Sequence, residues 1–133
     1  MVASVLVLAG AAFAAVPPAK VTNAFNAKFA HAANVKWAKE NAKEWEAEFT
    51  IDGVKMSANF ANDGSWVETE TEIPIGDLPS AVASSIKRSH AGWTVTHSYR
   101  IESASKGTFY EAEIRSGKKK QEVILKEDGS SMK

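Results

Sequence analysis

The stretch "WEAEFTIDG" spans Trp45–Gly53, and a similar stretch, "YEAEIRSG", spans Tyr110–Gly117. Each alternates apolar or small side chains with charged ones and then ends in a glycine. Alternation with a period of two is typical of a β-strand that buries one face, and a glycine at its end favours a tight turn. The two stretches therefore predict two similar strand-and-turn units within one chain.

The same alternation continues on either side of both stretches. It predicts strands over residues 35–40, 44–51, 54–60 and 65–73 in the first half, and over residues 93–101, 110–114 and 121–126 in the second. Turn sequences separate several of these strands, at Asp52-Gly53, Asp63-Gly64-Ser65 and Asp128-Gly129-Ser130. Strands with one apolar and one charged face are typical of an antiparallel sheet that is covered on one side.

A proline begins a predicted amphipathic helix in each half of the chain. Proline suits the first turn of a helix, and apolar residues follow it at three- and four-residue steps, which places them on one helical face. The corresponding residues are Pro18 and Pro79, Val21 and Val82, and Phe25 and Ile86.

The recurrence of helix, strands and turns in the same order predicts an internal duplication. We predict an α+β fold of two tandem repeats, at residues 17–75 and 78–133, each a helix followed by an antiparallel meander. The helices are expected to pack on one face of a shared antiparallel sheet. One repeat alone would leave its apolar sheet face poorly covered, whereas two repeats side by side extend one sheet and share a core.

Three features resemble the PepSY-like family of small secreted proteins, which is also described as beta-lactamase-inhibitor-like. They are the Asp63-Gly64 turn, the joint from Ile73-Pro74 to Leu78-Pro79, and the repeated Glu-Ala-Glu, and the resemblance extends over Pro17–Lys133. The resemblance implies a single extracytoplasmic, non-enzymatic domain over residues 15–133. It also implies binding or inhibition of proteins, peptidases among them.

The sequence departs from the family pattern where the helices end. A Pro-Gly pair often closes the helix in the family. Here the corresponding residues are His31-Ala32-Ala33 in the first half and His90-Ala91-Gly92 in the second. The helix exits are therefore expected to differ from those of the family.

The N-terminal residues 1–14 have the features of a secretory signal peptide. The apolar run is shorter than the roughly twenty residues that a membrane-spanning helix needs, and Ala12 and Ala14 have the spacing that a signal peptidase accepts. No Lys or Arg precedes the run, so a short anchor or a buried first helix remains the alternative. Signal removal predicts a periplasmic or extracellular protein with no stable insertion in the membrane.

Charge and composition exclude several other classes of protein. The 133 residues include sixteen basic and sixteen acidic ones, so the formal net charge is zero. A nucleic-acid-binding domain normally carries a clear basic excess, so no nucleic-acid partner is predicted. The chain has no cysteine, which excludes disulfides and thiolate metal sites.

No pattern in the sequence indicates catalysis. The three histidines, His31, His90 and His97, lack the close spacing of metal ligands on a helix, and His97 is predicted to lie in the core on an apolar strand face. No Gly-x-Ser-x-Gly nucleophile motif is present. The sequence therefore predicts a protein that is not an enzyme, with no catalytic residue, no metal site and no cofactor.

The glutamates of the alternating strands form the strongest candidate binding surface. They are expected to face water on the open side of the sheet, and Trp66 shares their phase. The predicted partner-binding residues are Trp66, Glu68, Glu70, Glu46 and Glu48. Two other interpretations stay open: a solvated face paired with lysines and arginines, or a calcium site built of carboxylate oxygens. Trp66 itself has an alternative place, packed on a turn.

These observations together predict a secreted or periplasmic binding module with a protein partner. The expected activity is that of a peptidase-type inhibitor or an interaction domain that uses the open face of its sheet. The alternative is an envelope protein that binds a small molecule or a cation such as calcium.

Overall fold

Seven antiparallel strands form one sheet, in which the order of the strands is their order along the chain. The structure is a computed structural model that describes residues 15–132. The elements are α1 (Ala19–Lys28), β1 (Ala33–Lys39), β2 (Glu44–Ile51), β3 (Val54–Ala61), β4 (Trp66–Ile73), α2 (Ser80–Ser89), β5 (Thr94–Ser103), β6 (Gly107–Ser116) and β7 (Lys119–Lys126), with a short 3-10 turn at Ile75–Asp77. The predicted α+β class is confirmed, and each predicted helix and strand is present.

Two parts of the sequence interpretation are not decided by these elements. The signal peptide predicted at residues 1–14 lies outside the described residues. The duplication also stays a prediction, although the two halves share several local details described below. None of the helices within residues 15–132 is long and apolar enough to cross a membrane.

Both helices pack on the same face of the sheet, which we call the helix face. In the first half, Phe25 of α1 meets the ring of Phe49 edge-on, with ring centroids 5.0 Å apart. Such edge-to-face contacts add about 0.5–1.5 kcal/mol to the burial of the rings. In the second half, Ile86 of α2 packs among buried aliphatic residues that include Ala112 and Ile114.

A β-bulge in β4 places Trp66 on the helix face. Glu68 pairs with Asn59 and Trp66 pairs with Phe60, so Val67 is an extra residue in the strand. One extra residue shifts the alternation by one position and sends the preceding side chain to the opposite face. The prediction that Trp66 lies on the open face with the glutamates is therefore wrong.

A second bulge, in β5, places His97 on the face opposite the helices. Val95 pairs with Ile114 and His97 pairs with Glu113, so Thr96 is the extra residue. Val95 remains on the helix face, whereas the side chain of His97 lies on the other face and is 49% exposed. The prediction of a core histidine is wrong for the same physical reason as the prediction for Trp66.

The hairpin tip that follows β3 in the first half, and the one that follows β7 in the second, touch the first turn of a helix. A Cβ atom added to Gly64 would lie 2.7 Å from the carbonyl oxygen of Lys20, and one added to Gly129 would lie 2.5 Å from that of Ala81. Both glycines have positive φ angles, +91° and +82°. In both turns an aspartate side chain accepts a hydrogen bond from the backbone two residues on, Asp63 from Ser65 and Asp128 from Ser130.

The close approach at Gly64 predicts a large cost for a single methyl group. Gly64→Ala should lower the free energy of unfolding by about 3 kcal/mol, because left-handed backbone strain adds to an overlap with the helix backbone. Gly53→Ala is the matched control, since Gly53 has a φ of +79° and no atom within 4 Å of an added Cβ. It should cost only about 1 kcal/mol. Urea unfolding measures both values, and equal costs would contradict the contact.

Candidate functional site

The face of the sheet opposite the helices carries the repeated glutamates on several strands. Cross-strand pairs place these residues together: Glu72 pairs with Tyr99, and Tyr99 pairs in turn with Glu111. We call this surface the glutamate face. Its members are Glu46 and Glu48 on β2, Glu68, Glu70 and Glu72 on β4, and Glu111 and Glu113 on β6. Four of the five predicted contact residues thus share one surface, and Trp66 does not.

An open cleft of about 480 Å³ lies on the glutamate face. Six glutamates line it, together with two lysines, Lys36 and Lys55, and the side chains of His97 and Tyr99. The six are Glu40, Glu46, Glu48, Glu68, Glu70 and Glu72. The chain as a whole is neutral, so the acidic surplus of this cleft is a local feature.

The sequence had predicted that the glutamates face water, but several of them do not. The exposed fraction is 7% for Glu46, 1% for Glu111 and 5% for Glu113. Neighbouring strands are only about 4.8 Å apart, so acidic side chains that share a face cover one another. The glutamate face is therefore partly a recessed carboxylate cluster rather than a solvated surface.

Two of these carboxyl groups have buried oxygens without a hydrogen-bond partner among the described residues. They are Oε2 of Glu70 and both oxygens of Glu111. Burial is the main cause that raises the pKa of each, to about 9 for Glu70 and about 8 for Glu111. Nearby carboxylates add to the effect, and the charge of Glu111 acts most strongly on Glu70. Both groups are therefore largely protonated near neutral pH.

Burial also raises the pKa of two other glutamates that line the cleft, Glu46 on β2 and Glu68 on β4. Burial raises the pKa of Glu46 to about 8, helped by a side-chain hydrogen bond with Glu40 and by the charge of that residue. Two carboxyl groups can share a hydrogen bond only when one of them holds a proton. Burial also raises the pKa of Glu68, and the positive charge of Lys106 opposes that rise.

Glu113 shows what full pairing does to a carboxylate on the same face. Burial raises its pKa, but hydrogen bonds from Lys120, Thr96 and Arg115 outweigh that effect and lower the pKa to about 2. The Nζ atom of Lys120 lies 2.9 Å from Oε2 of Glu113, and Thr96 Oγ1 donates to Oε1 at 3.1 Å. One glutamate is thus satisfied internally, whereas Glu70 and Glu111 are not.

Tyr99 occupies the middle of the glutamate face, between β4 and β6. Burial and the charges of Glu70 and Glu72 raise its pKa to about 12, so its hydroxyl stays a neutral donor. Sequence reasoning missed Tyr99 as a site residue. In the sequence it alternates in phase with Trp93 and Val95, which pack on the helix face. The bulge at Thr96 lies between them and reverses that phase, so Tyr99 lies on the glutamate face.

Trp66 belongs to the helix face and has a structural environment. Its Nε1 donates a hydrogen bond to Thr69 Oγ1 at 2.9 Å, and the Nζ atom of Lys28 lies 4.1 Å from the centre of its ring. The ring also packs against the core cluster around Phe25. Trp66 therefore helps α1 pack on the sheet and is not available to the glutamate face.

The carboxylates of the cleft are spread out rather than convergent. Within residues 15–132 no three His, Asp or Glu side chains lie close enough together to hold a metal ion. Calcium takes six to eight oxygen ligands at 2.3–2.6 Å. The arrangement instead offers single carboxylates at separate places along neighbouring strands.

Comparison with known protein families identifies a match over most of the chain. A family described as "Putative beta-lactamase-inhibitor-like, PepSY-like" matches residues 43–132. The match begins just before β2 and takes in the rest of the sheet and α2, so α1 and β1 lie outside it. None of the curated proteins compared with the chain is similar to it at the sequence level.

Solved structures from Bacteroides share the fold. A protein of Bacteroides eggerthii described as a "putative periplasmic" protein aligns with a TM-score of 0.81 at 17% identity, over 90% of this chain and 88% of its own. A BLIP-like protein of Bacteroides fragilis aligns with a TM-score of 0.72 at 24% identity, over 87% and 83%. A DUF2874 family protein of Bacteroides ovatus aligns with a TM-score of 0.78 at 20% identity, over 90% and 86%. At identities this low, the structural similarity establishes a common fold.

The recessed carboxyl groups predict a stability that falls as the pH rises. The pKa values of Glu46, Glu70 and Glu111 are raised from 4.5 to about 8 or 9, so the folded state binds more protons than the unfolded state between these limits. Ionisation of these groups destabilises the folded state: the cost is absent below pH 4.5 and is complete once the pH has passed through 8 to 9. The melting temperature should drop by about 4 °C or more between pH 5 and pH 9.

Glutamine replacements and a control on the opposite face test that origin. Replacing Glu46, Glu70 and Glu111 together with Gln should flatten the profile, because the three titrating groups are gone. Glu102→Gln removes a carboxylate from the helix face and should leave the slope unchanged. A wild-type melting temperature that is constant or increasing over this range would rule out the recessed acids as its cause.

The position of Trp66 gives a separate prediction. Trp66→Ala should lower the free energy of unfolding by about 2 kcal/mol, because a half-buried ring and its contact with Lys28 are lost. Urea unfolding followed by circular dichroism measures the change. An unchanged stability would mean that the ring does not pack beneath α1.

Proposed function

Because the chain belongs to the PepSY-like, beta-lactamase-inhibitor-like family, we propose that it is a non-catalytic module that binds a protein partner through its glutamate face. The observation that carries this proposal is the cleft on that face. It lies opposite both described helices and is lined by six glutamates. Functional surfaces of this kind retain polar groups that cost stability.

The buried acids support a binding role more than a structural one. An unpaired buried carboxyl group opposes folding, and Glu70 and Glu111 make no compensating hydrogen bond among the described residues. A chain selected for stability alone would place apolar residues there. The proposed contact residues are Glu46, Glu48, Glu68 and Glu70 from the sequence analysis, with Tyr99 added from the structure.

We also propose that the protein acts in the periplasm or outside the cell. Residues 1–14 have the features of a signal peptide in sequence. The similar protein of Bacteroides eggerthii is described as "putative periplasmic", and the one of Bacteroides fragilis is described as BLIP-like. Inhibition is therefore one form that the binding can take.

The proposed origin of the sheet is a duplication. The end of each helix supports it: the backbone N–H of Phe29 donates to Phe25, and that of His90 donates to Ile86, with φ angles of −124° and −131°. The matching turns at Gly64 and Gly129 support it as well. Two copies side by side would supply the width of open sheet that forms the cleft.

The alternative, a protein that binds a small molecule or a cation, has the size of the cleft in its favour. A cleft of about 480 Å³ has the size of small-molecule sites, which run from about 300 to 1,000 Å³. A bare calcium ion is the weaker form of this alternative, since the carboxylates within the described residues do not converge on a point.

Site-specific photo-crosslinking in the cell that makes the protein tests the proposed function. A photoreactive amino acid at Ser57, which lines the cleft, should give one dominant protein adduct. The same amino acid at Lys87, an exposed position on α2, is the control and should not give that adduct. Charge reversal by Glu48→Lys with Glu72→Lys should abolish the Ser57 adduct, because both residues line the cleft.

Two results would overturn the proposal. One is the absence of a specific protein adduct from Ser57. The other is an adduct that forms equally well from Ser57 and Lys87, which would indicate non-specific capture.

A further inference from the structure

We propose that the cleft on the glutamate face receives an extended basic segment of the partner, with a lysine or arginine side chain held between Glu70 and Glu46. This proposal rests on the proposed function and names the chemistry of the partner. Three observations carry it: the unpaired acid next to Glu70, the local excess of acid, and the spacing of the carboxylates.

The first observation is the pair formed by Glu70 and Glu111. Glu70 lines the cleft, and its Oε2 atom is buried without a hydrogen-bond partner among residues 15–132. Glu111 lies on the same face, is 1% exposed, and has two buried oxygens that are equally unpaired. A cation that enters the cleft would offset the cost of both groups, through a hydrogen bond to Glu70 and through its charge near Glu111.

The contrast with Glu113 shows that the chain can satisfy an acid on this face when it supplies a cation. Lys120 and Arg115 both reach Glu113. The two lysines that line the cleft, Lys36 and Lys55, form no ion pair with Glu70 or Glu46 by distance criteria within the described residues. A basic side chain from outside would do for Glu70 what Lys120 does for Glu113.

The spacing of the acids favours binding of an extended basic peptide over binding of a metal ion. Residues two apart on one strand are separated by about 6.8 Å, and alternate strands by about 9.6 Å. Glu46 and Glu48 on β2 and Glu68, Glu70 and Glu72 on β4 therefore form two rows of carboxyl groups with β3 between them. Side chains along an extended peptide have a similar repeat, so one strand of basic residues could contact several acids at once.

Binding of a cation should also displace protons. Titratable groups from every neighbouring strand either line the cleft or act electrostatically on Glu70, Tyr99 or Glu111. They are Glu40 and Lys36 from β1 and its end, Glu46 and Glu48 from β2, Lys55 from β3, Glu68 and Glu72 from β4, His97 and Tyr99 from β5, Glu111 and Glu113 from β6, and Lys120 and Glu122 from β7. Burial keeps Glu70 largely protonated at neutral pH. A bound ammonium group favours the carboxylate, so affinity should rise with pH between 7 and 9.

Calorimetry with a defined peptide tests the proposal. The probe is acetylated and amidated hexalysine, and its control is the same peptide with every lysine acetylated, which keeps the chain and removes the charge. Hexalysine should bind and release protons, measured as a heat that depends on the ionisation enthalpy of the buffer. Glu70→Gln should weaken binding at least tenfold and reduce the proton release, whereas Glu102→Gln on the helix face should change neither.

Stability measurements separate a binding role from a structural one. Glu70→Gln should raise the melting temperature at pH 8 while it weakens binding, because it removes an acid that costs stability. If this variant does not fold, Glu48→Gln is the second one, since Glu48 also lines the cleft. Loss of both stability and binding in the folded variants would mean that the acid supports the fold and would overturn the proposal.

The outcomes also distinguish this proposal from the proposed function. Absence of hexalysine binding, or equal binding of the acetylated peptide, overturns the basic segment even if the Ser57 adduct forms. Hexalysine binding without any Ser57 adduct overturns the protein partner but leaves a cleft for basic ligands.

Discussion

A residue that packs beneath a helix in this sheet sends both of its chain neighbours to the opposite face. This constraint follows from the pleat of a β-strand, and the two Glu-Ala-Glu sequences make it consequential. Ala47 is buried below α1 and Ala112 is buried below α2. Each therefore directs two glutamates onto the glutamate face, and the core that holds the helices in place also assembles the acidic cluster.

The crowding of these acids on one face lowers the stability of the fold. Glu70 and Glu111 lose water without gaining hydrogen bonds among the described residues, and like charges nearby make ionisation harder still. Glu113 escapes this cost because Lys120 and Arg115 contact it. The face is thus unevenly satisfied, and one of the two unsatisfied acids, Glu70, lines the cleft. That is why we assign the recessed acids to binding.

The sequence predicted the elements well because their signals are local. Glu44–Ile51 is a strand with the predicted bounds, and Val21 with Phe25 and Val82 with Ile86 form the buried stripes of the two helices. The family resemblance was also correct. The placements of Trp66 and His97 failed because each lies next to a bulge. An extra residue in a strand leaves no mark in the alternation itself and reverses the face of what comes before or after it.

The recessed state of the glutamates was equally beyond a reading of the sequence. Alternation tells which side a residue takes, but its exposure depends on which strands become neighbours. Glu70 and Glu111 are far apart in the chain, and only the junction of β4 with β5 brings them together. Tyr99 was missed because the bulge at Thr96 reverses the face on which it lies, and its role comes from the acids on the strands beside it.

The contacts at Gly64 and Gly129 have a mechanical consequence. Each hairpin tip rests directly on the backbone at the start of a helix, so α1 supports the turn between β3 and β4, and α2 supports the turn that follows β7. A cleft on a sheet that is supported in this way changes shape little on binding, so most of the entropy cost of ordering falls on the bound peptide. A peptide that is already extended in solution would lose the least conformational entropy.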